Sequence, residues 1–514
     1  MITWLRKTWD EHPFPVILIS AVFLRLVAVI FARGWGMSDD HFLIIEVPQS
    51  WVDGLDTDQY FPWTPGNTGP TGHLLFYPGI HFLLLTFFKW IHILDPQVKM
   101  FIIRFLHAAF SMLTIIYAYR IVKRLSGVKS ARMTGLLLAV LYFMPWLSVR
   151  NLVEGVCIPF LILGFWVIVR DEKPAHPFWA YLLAGIFFGL SLDIRLQTIF
   201  FPVGAGLVLL IRKQWKETLG LLTGCLLPVV LILGVIDLFI WGTPFAELRG
   251  YIIYNILFRE AYVTGPWYNY ILFILGLMIP PVSLIFLFGF FRGWKKYLIL
   301  FLPALLFFVF HSSFPNKQER FIIPFIPFFI MLGIMGWNDF ISQSKWWIRH
   351  LGFRKIIWFF FWIINLLLLP LITLTYSKRS SVETMYYLSK YPEISHVIAA
   401  DAQDSPVLFP QFYLGQWCHI NKDLEGYSTT LELIQETQKM PREEHPRFIL
   451  FIGEGNLSAR VKDAQEVFPG LVYETTIQPG FVDWLLHAAN PKNKNYTVFI
   501  YRNIDFFPEK IESE

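Results

Sequence analysis

Two adjacent carboxylates, Asp39 and Asp40, with Glu46 six residues beyond, follow the first long apolar run of this chain. Carboxylates this close raise one another's proton affinity, so one of the pair suits general-base work near neutral pH. The alternative is a solvated acidic flank beyond a membrane helix. A second group, Lys317 and Arg320, lies in a short connection between two apolar runs. A lysine as a point charge and an arginine as a bidentate fork together suit a phosphate, though cations at helix ends also snorkel to the interface for purely structural reasons. Ionisable residues also occur inside or at the ends of apolar runs: Arg150, Glu154, Asp193, Arg195 and Asp237. Charge there must be paired or face a polar cavity. The spacing of Arg150 to Glu154, and of Asp193 to Arg195, allows each couple to neutralise itself. Arg150 has the stronger claim to a phosphate-binding role, because its loop falls on the same side as the acidic pair.

What must position these residues is a membrane scaffold. The chain has 514 residues, 55% hydrophobic, 18% aromatic and only 16% charged, with a mean hydropathy of +0.50. That usage describes a polytopic membrane protein, and it turns the net charge of +5 into a topology signal rather than a nucleic-acid footprint. No nucleic-acid motif accompanies the charge. Cys157, Cys225 and Cys418 are widely separated and show no metal-ligand spacing, so neither a disulfide framework nor a zinc site is expected. Histidines 73, 81, 92 and 107 likewise carry no metal spacing. No cofactor and no metal is expected. Arg6 and Lys7 before a long apolar run read as the flank of an uncleaved first helix.

Apolar runs occupy residues 14–33, 73–94, 101–119, 133–147, 155–169, 179–192, 196–211, 219–240, 268–291, 297–310, 321–340 and 356–376. Several are short, so the expected number of transmembrane helices is about 11 to 13. Basic clusters around Lys123, Arg212, Arg292 and Arg349 place their loops in the cytoplasm, and residues 34–72, which contain no Lys or Arg, on the other side. One parity break remains at the two runs between residues 73 and 119: either the first of them is re-entrant or the positive-inside rule fails there. Trp63, with Trp51, Tyr60 and Phe61, puts aromatic faces in the basic-free loop, suited to a sugar or to the bilayer surface.

From residue 377 the composition becomes that of a soluble domain. Residues 396–401, 447–453, 471–477 and 496–501 read as short strands, and 430–439 as a helix. The expected division is a transmembrane domain over 1–376 and a small extracytoplasmic α/β domain over 377–514. The domain has no nucleotide-binding motif. In the turn-rich segment 405–415, core packing is the favoured role for the aromatics.

The sequence Asp39-Asp40-His41-Phe42, followed by Glu46, resembles a signature in the first external loop of the lipid-phosphate-sugar-dependent α-mannosyltransferases of glycosyltransferase family 22, which have the GT-C fold. Residues 316–324 are similar to a second motif of that family: Lys317, Arg320, Phe321 and Pro324 agree, while Asn316 and Gln318 stand where the family has His and Glu. A looser third match begins at Asp237 and continues to Asn255. The resemblance spans roughly residues 14–340. It implies an all-α polytopic GT-C membrane domain, Asp39 as base with Asp40 and Glu46 in support, and Lys317 and Arg320 on the donor phosphate, where Arg150 joins them on the reading of its loop alone. It further implies Asp237 and Asn255 as substrate contacts, to which the aromatic loop adds Trp63.

The expected function is therefore an integral membrane glycosyltransferase that moves a hexose, on the resemblance mannose, from a polyprenyl-phosphate sugar to a lipid-linked or surface glycan with inversion. Its site would face the periplasm of a bacterium or the ER lumen of a eukaryote. Its partners would be the sugar donor, the glycan acceptor and the bilayer, with no nucleic acid. Two other classes fit less well: a transporter or flippase of lipid-linked sugars, which would have no need of the acidic pair, and a non-catalytic assembly subunit.

Overall fold

A computed structural model describes residues 2–171, 173–401, 407–422, 430–490 and 497–509. Among them, seven helices are long and apolar enough to cross a membrane: Pro13–Phe31, Pro96–Ser126, Val153–Arg170, Pro177–Ile194, Trp215–Trp241, Glu319–Gln343 and Leu351–Thr373. Three shorter apolar helices, Leu196–Ile211, Val282–Arg292 and Leu298–Ser313, add to the bundle.

Their packing follows composition. The most apolar window of Glu319–Gln343 is 83% buried, whereas that of Leu351–Thr373 is only 22% buried. A helix that is apolar all round and surrounded by others is a core element, while one that leaves Ile356, Phe359 and Leu367 exposed presents them to lipid. Helix Val282–Arg292 packs against Ile326–Gln343 at bare backbone: a Cβ on Gly289 would lie 2.0 Å from the Gly333 carbonyl oxygen, and one on Gly336 2.0 Å from that of Gly289. Only glycine permits that approach, the usual means of packing helices where lipid removes the hydrophobic drive to associate.

The chain forms two compact units, Met1–Ile30 with Ser50–Leu83 and Ile103–Leu374 in one, and Phe31–Gln49 with Leu84–Ile102 and Thr375–Glu514 in the other. The second therefore includes the stretch that carries the acidic pair.

The second unit is built on a five-stranded sheet of order β2-β1-β3-β5-β4. Its strands are β1 (His396–Asp401), β2 (His419–Lys422), β3 (Phe448–Ile452), β4 (Leu471–Ile477) and β5 (Val498–Asn503). β2, β1 and β3 run parallel, and β5 is antiparallel to both β3 and β4. The sequence FILFI of β3 is buried at every position, as a central strand covered on both faces requires. Leu433 and Ile434 of helix Thr430–Gln438, with Ala464 and Val467 of Leu457–Val467, pack with Ile398, Ile449 and Phe451 of the sheet. A buried carboxylate pins the edge: Glu474 accepts hydrogen bonds from Tyr387 and Tyr391, each at 2.6 Å, and from Arg502 Nε at 2.8 Å.

Candidate active site

The acidic pair sits in a tightly folded segment. Gly34 adopts φ +71°, and a Cβ there would meet the Ser377 carbonyl oxygen at 1.8 Å. The Ser377 N–H donates to the Arg33 carbonyl at 3.1 Å. Glycine is thus required where the segment meets the start of the C-terminal chain. Beyond it, Ser38–Asp40 form one 3₁₀ turn and Phe42–Glu46 a π-helical turn, the type of irregularity often found at functional sites. Asp40 is buried and its Oδ2 accepts from the Gly36 N–H at 2.9 Å. Asp39 is only half-buried, with the Ser38 hydroxyl 3.3 Å from its Oδ1.

Glu46 points elsewhere, to the C-terminal chain. Its Oε2 accepts from the Phe412 N–H at 3.1 Å and lies 3.7 Å from His41 Nε2. His41 is buried between two rings, Trp35 at 5.4 Å and Tyr413 at 5.3 Å, both nearly parallel to it. Glu46 and His41 therefore fasten the loop to the Gln411–Tyr413 turn, where Phe412 and Tyr413 are themselves buried. This turn lies in the segment 405–415 whose aromatics were expected to pack in a core; its pairing with His41 and Glu46 escaped sequence reasoning, since the partners lie hundreds of residues apart. The position of His41 inside the acidic motif was the available signal.

The cations belong to the other unit. Lys317 is held by a short bridge in which its N–H donates to the Val263 carbonyl at 2.8 Å and Thr264 pairs with Asn316. Lys317 is 2% exposed, and its ammonium donates to three backbone carbonyls at the end of helix Leu298–Ser313: His311 and Ser312, each at 3.0 Å, and Phe314. That is a C-terminal helix cap made by a lysine, and burial lowers its proton affinity from the ordinary value.

Arg320 lies beside Gln318 Oε1 at 2.9 Å and 3.7 Å from Glu154 Oε1. The same Glu154 oxygen is 2.9 Å from Arg195 Nη1, and the Arg195 guanidinium stacks 4.7 Å over the Phe321 ring. Glu154, fully buried, thus joins two arginines far apart in sequence, where local spacing offered Arg150. Arg150 instead lies 4.4 Å over the Trp146 ring and lines a cavity of about 50 Å³ with Arg25, His107, Ser111, Thr114 and Ser148.

Asp237, also buried, accepts from the Glu247 N–H at 3.0 Å and so caps helix Ala246–Leu257. The Glu247 carboxylate in turn accepts from the N–H groups of Gly72 at 2.7 Å and His73 at 3.3 Å. Burial pushes Glu247 up to about 7. Asn255 donates to the Tyr251 carbonyl in its own helix at 2.8 Å. Trp63 is 67% exposed and stacks 4.8 Å from Phe61. Its loop is folded around Asp56, which accepts from the N–H groups of Tyr60 and Phe61 at 2.9 and 2.8 Å and from the Thr64 hydroxyl at 2.6 Å. Asp56 was missed in the sequence, where an isolated loop aspartate carries no distinguishing pattern.

The model of the Alg9-like mannosyltransferase family matches residues 17–419, which include both the acidic loop and the Arg320 segment. The chain belongs to this family. One relative, GPI mannosyltransferase 3 of Saccharomyces cerevisiae, is 31% identical over 151 residues, 26% of this chain and 23% of the yeast protein, so the match spans about a quarter of that relative. The crystal structure of ArnT from Cupriavidus metallidurans bound to undecaprenyl phosphate superposes with a TM-score of 0.59 at 13% identity, covering 95% of this chain and 98% of that one. Its apo form gives 0.57 over the same shares. That likeness shows the fold. The chain is a helical integral membrane protein of GT-C type, as the resemblance implied, with the small C-terminal sheet domain expected from the change of composition at residue 377.

Proposed function

We propose that this family member is a mannosyltransferase that takes its sugar from a polyprenyl-phosphate donor on the extracytoplasmic side and passes it, with inversion, to a lipid-linked or surface glycan. The observation that supports this most strongly is the family match over residues 17–419. The undecaprenyl phosphate held by ArnT, which shares the fold, favours a lipid-phosphate donor. In this reading the Asp39 carboxylate takes the proton of an acceptor hydroxyl as that oxygen bonds to the anomeric carbon. The bond from that carbon to the phosphate oxygen breaks, and the lipid phosphate leaves with the electron pair. A single displacement inverts the centre.

Asp39 is preferred to Asp40 because Asp40 is buried against the Gly36 N–H while Asp39 is half-exposed. Glu46, bound to Phe412, serves to hold the loop. Arg320 is the first choice for the departing phosphate, because a guanidinium can offer two parallel donors. Lys317, whose ammonium caps a helix, adds charge and positions the segment. Arg150, Asp237, Asn255 and Trp63 remain proposed contacts, with Trp63, the most exposed, suited to stacking on a sugar.

Membranes from a strain expressing the full chain, supplied with polyprenyl-phosphate mannose, should transfer mannose and should continue to do so in EDTA. Transfer from GDP-mannose alone would overturn the donor class. Loss on chelation with rescue by Mg²⁺ or Mn²⁺ would make the acidic loop a metal site instead.

A further inference from the structure

At the end of helix Val282–Arg292, beyond its glycine contact with Ile326–Gln343, a cleft of about 410 Å³ opens, lined by Arg292, Trp294, Lys295, Lys296, Asp339 and Gln343. Its single carboxylate is already occupied: Asp339 Oδ2 accepts from Lys296 Nζ and from the Tyr297 hydroxyl, each at 2.8 Å. Arg292 and Lys295 face no carboxylate within ion-pair reach among the described residues, and the Lys295 ammonium lies 5.2 Å over the Trp294 ring. Three cations against one anion leave the cleft positive.

The surface leading to it is apolar. Leu284, Phe288 and Arg292 follow one another at four-residue spacing on one helix face, with Leu284 54% and Phe288 42% exposed. Phe291 and Trp294 are exposed beside them, and tryptophan favours the headgroup level of a bilayer. An apolar stripe that ends at an indole and two cations matches the order of an acyl chain, a glycerol and a phosphate.

We propose that this cleft binds the headgroup of an anionic phospholipid, with the phosphate between Arg292 and Lys295 and an acyl chain along Phe288 and Leu284. The site is separate from the residues assigned to sugar transfer and does not depend on that assignment. A free phosphate offers the same charge but leaves the apolar stripe unused, which is why a lipid is favoured.

The full chain, purified in detergent, would be incubated with phosphatidylglycerol or phosphatidylcholine and examined by native mass spectrometry. Wild type should retain phosphatidylglycerol in preference. The Arg292→Gln/Lys295→Gln double variant should bind it about twenty-five-fold more weakly, since each charge near an anionic headgroup contributes roughly a factor of five. The charge-preserving Arg292→Lys/Lys295→Arg exchange should keep binding, which separates loss of charge from loss of fold. An Arg349→Gln/Arg354→Gln variant, altered in another basic cluster, should also keep it. Equal retention by the neutralised double variant, or equal binding of phosphatidylcholine, would overturn the proposal. Displacement of the lipid by glycerol phosphate at similar concentration would show a free-phosphate site and overturn the lipid assignment.

Discussion

Glu247 in the transmembrane unit and Glu474 in the C-terminal unit are equally buried, each 1% exposed, yet burial pushes the first up to about 7 while the second is held below the usual carboxylate range. Burial pushes Glu474 upward as well. Two tyrosine hydroxyls and the Arg502 guanidinium outweigh that effect. Glu247 receives backbone N–H groups without a cation and has Asp237 nearby, a like charge that opposes ionisation. What a carboxylate can do is therefore decided by its donors rather than by depth. Glu154 and Glu474, matched to arginines, serve the fold, whereas Asp39, half-exposed on a 3₁₀ turn, is the carboxylate to which the proposed mechanism assigns proton transfer.

The largest effect should come from breaking the deepest pairing. Glu154→Gln leaves the buried Arg195 and the partly buried Arg320 with no carboxylate between them, and the loss of one partner from a buried ion pair costs about 3–5 kcal/mol. Thermal unfolding of the detergent-purified protein should show it, and an unchanged midpoint would mean that the two arginines find their counter-charge elsewhere. Asp39→Asn should do the reverse. It should leave the unfolding midpoint within about a degree and lower transfer by about a hundredfold or more, with donor KM little changed, because the amide keeps the shape but accepts no proton. Equal rates would remove Asp39 from the mechanism.

The contrast also explains what was legible in the chain. β1 and β4 were read at their observed limits because apolar and β-branched runs are local signals. β2, His-Ile-Asn-Lys, was missed: it has one apolar residue and exists as an edge because β1 pairs with it. The membrane character and the acidic loop were plain from composition and motif. The pairing of Glu154 was not, since four-residue spacing pointed to Arg150 while the partners observed are Arg195 and Arg320. Asp237 was likewise legible as a buried charge, but its bond to the Glu247 N–H depends on how the chain turns after its helix.

A smaller effect should separate the two glutamates by substitution. Glu474→Gln removes the charge from three hydrogen bonds, and the loss of charge-assisted bonds of this kind should cost about 2 kcal/mol at neutral pH. Because the folded carboxyl is held below its unfolded value, its contribution is present above the unfolded pKa near 4.5 and disappears as the pH falls through the folded one. The variant and wild type should therefore converge in acid. A difference that persists there would assign the effect to packing.

Glu247 should show the opposite sign. Its folded value of about 7 lies above the unfolded 4.5, so the folded state holds the proton more tightly in that interval. The resulting stability is complete below pH 4.5 and is lost as the pH rises through 7. Within a practical window, from about pH 6 to about pH 8, that amounts to a decline of about 1 kcal/mol. Glu247→Gln cannot ionise and should remove the decline, while its amide still accepts from Gly72 and His73. The measurement is the difference in unfolding midpoint between wild type and variant across that window. A difference that does not change with pH would show that the donors from residues 72 and 73 hold Glu247 ionised throughout, as the arginine does for Glu474, and the contrast between the two units would fail.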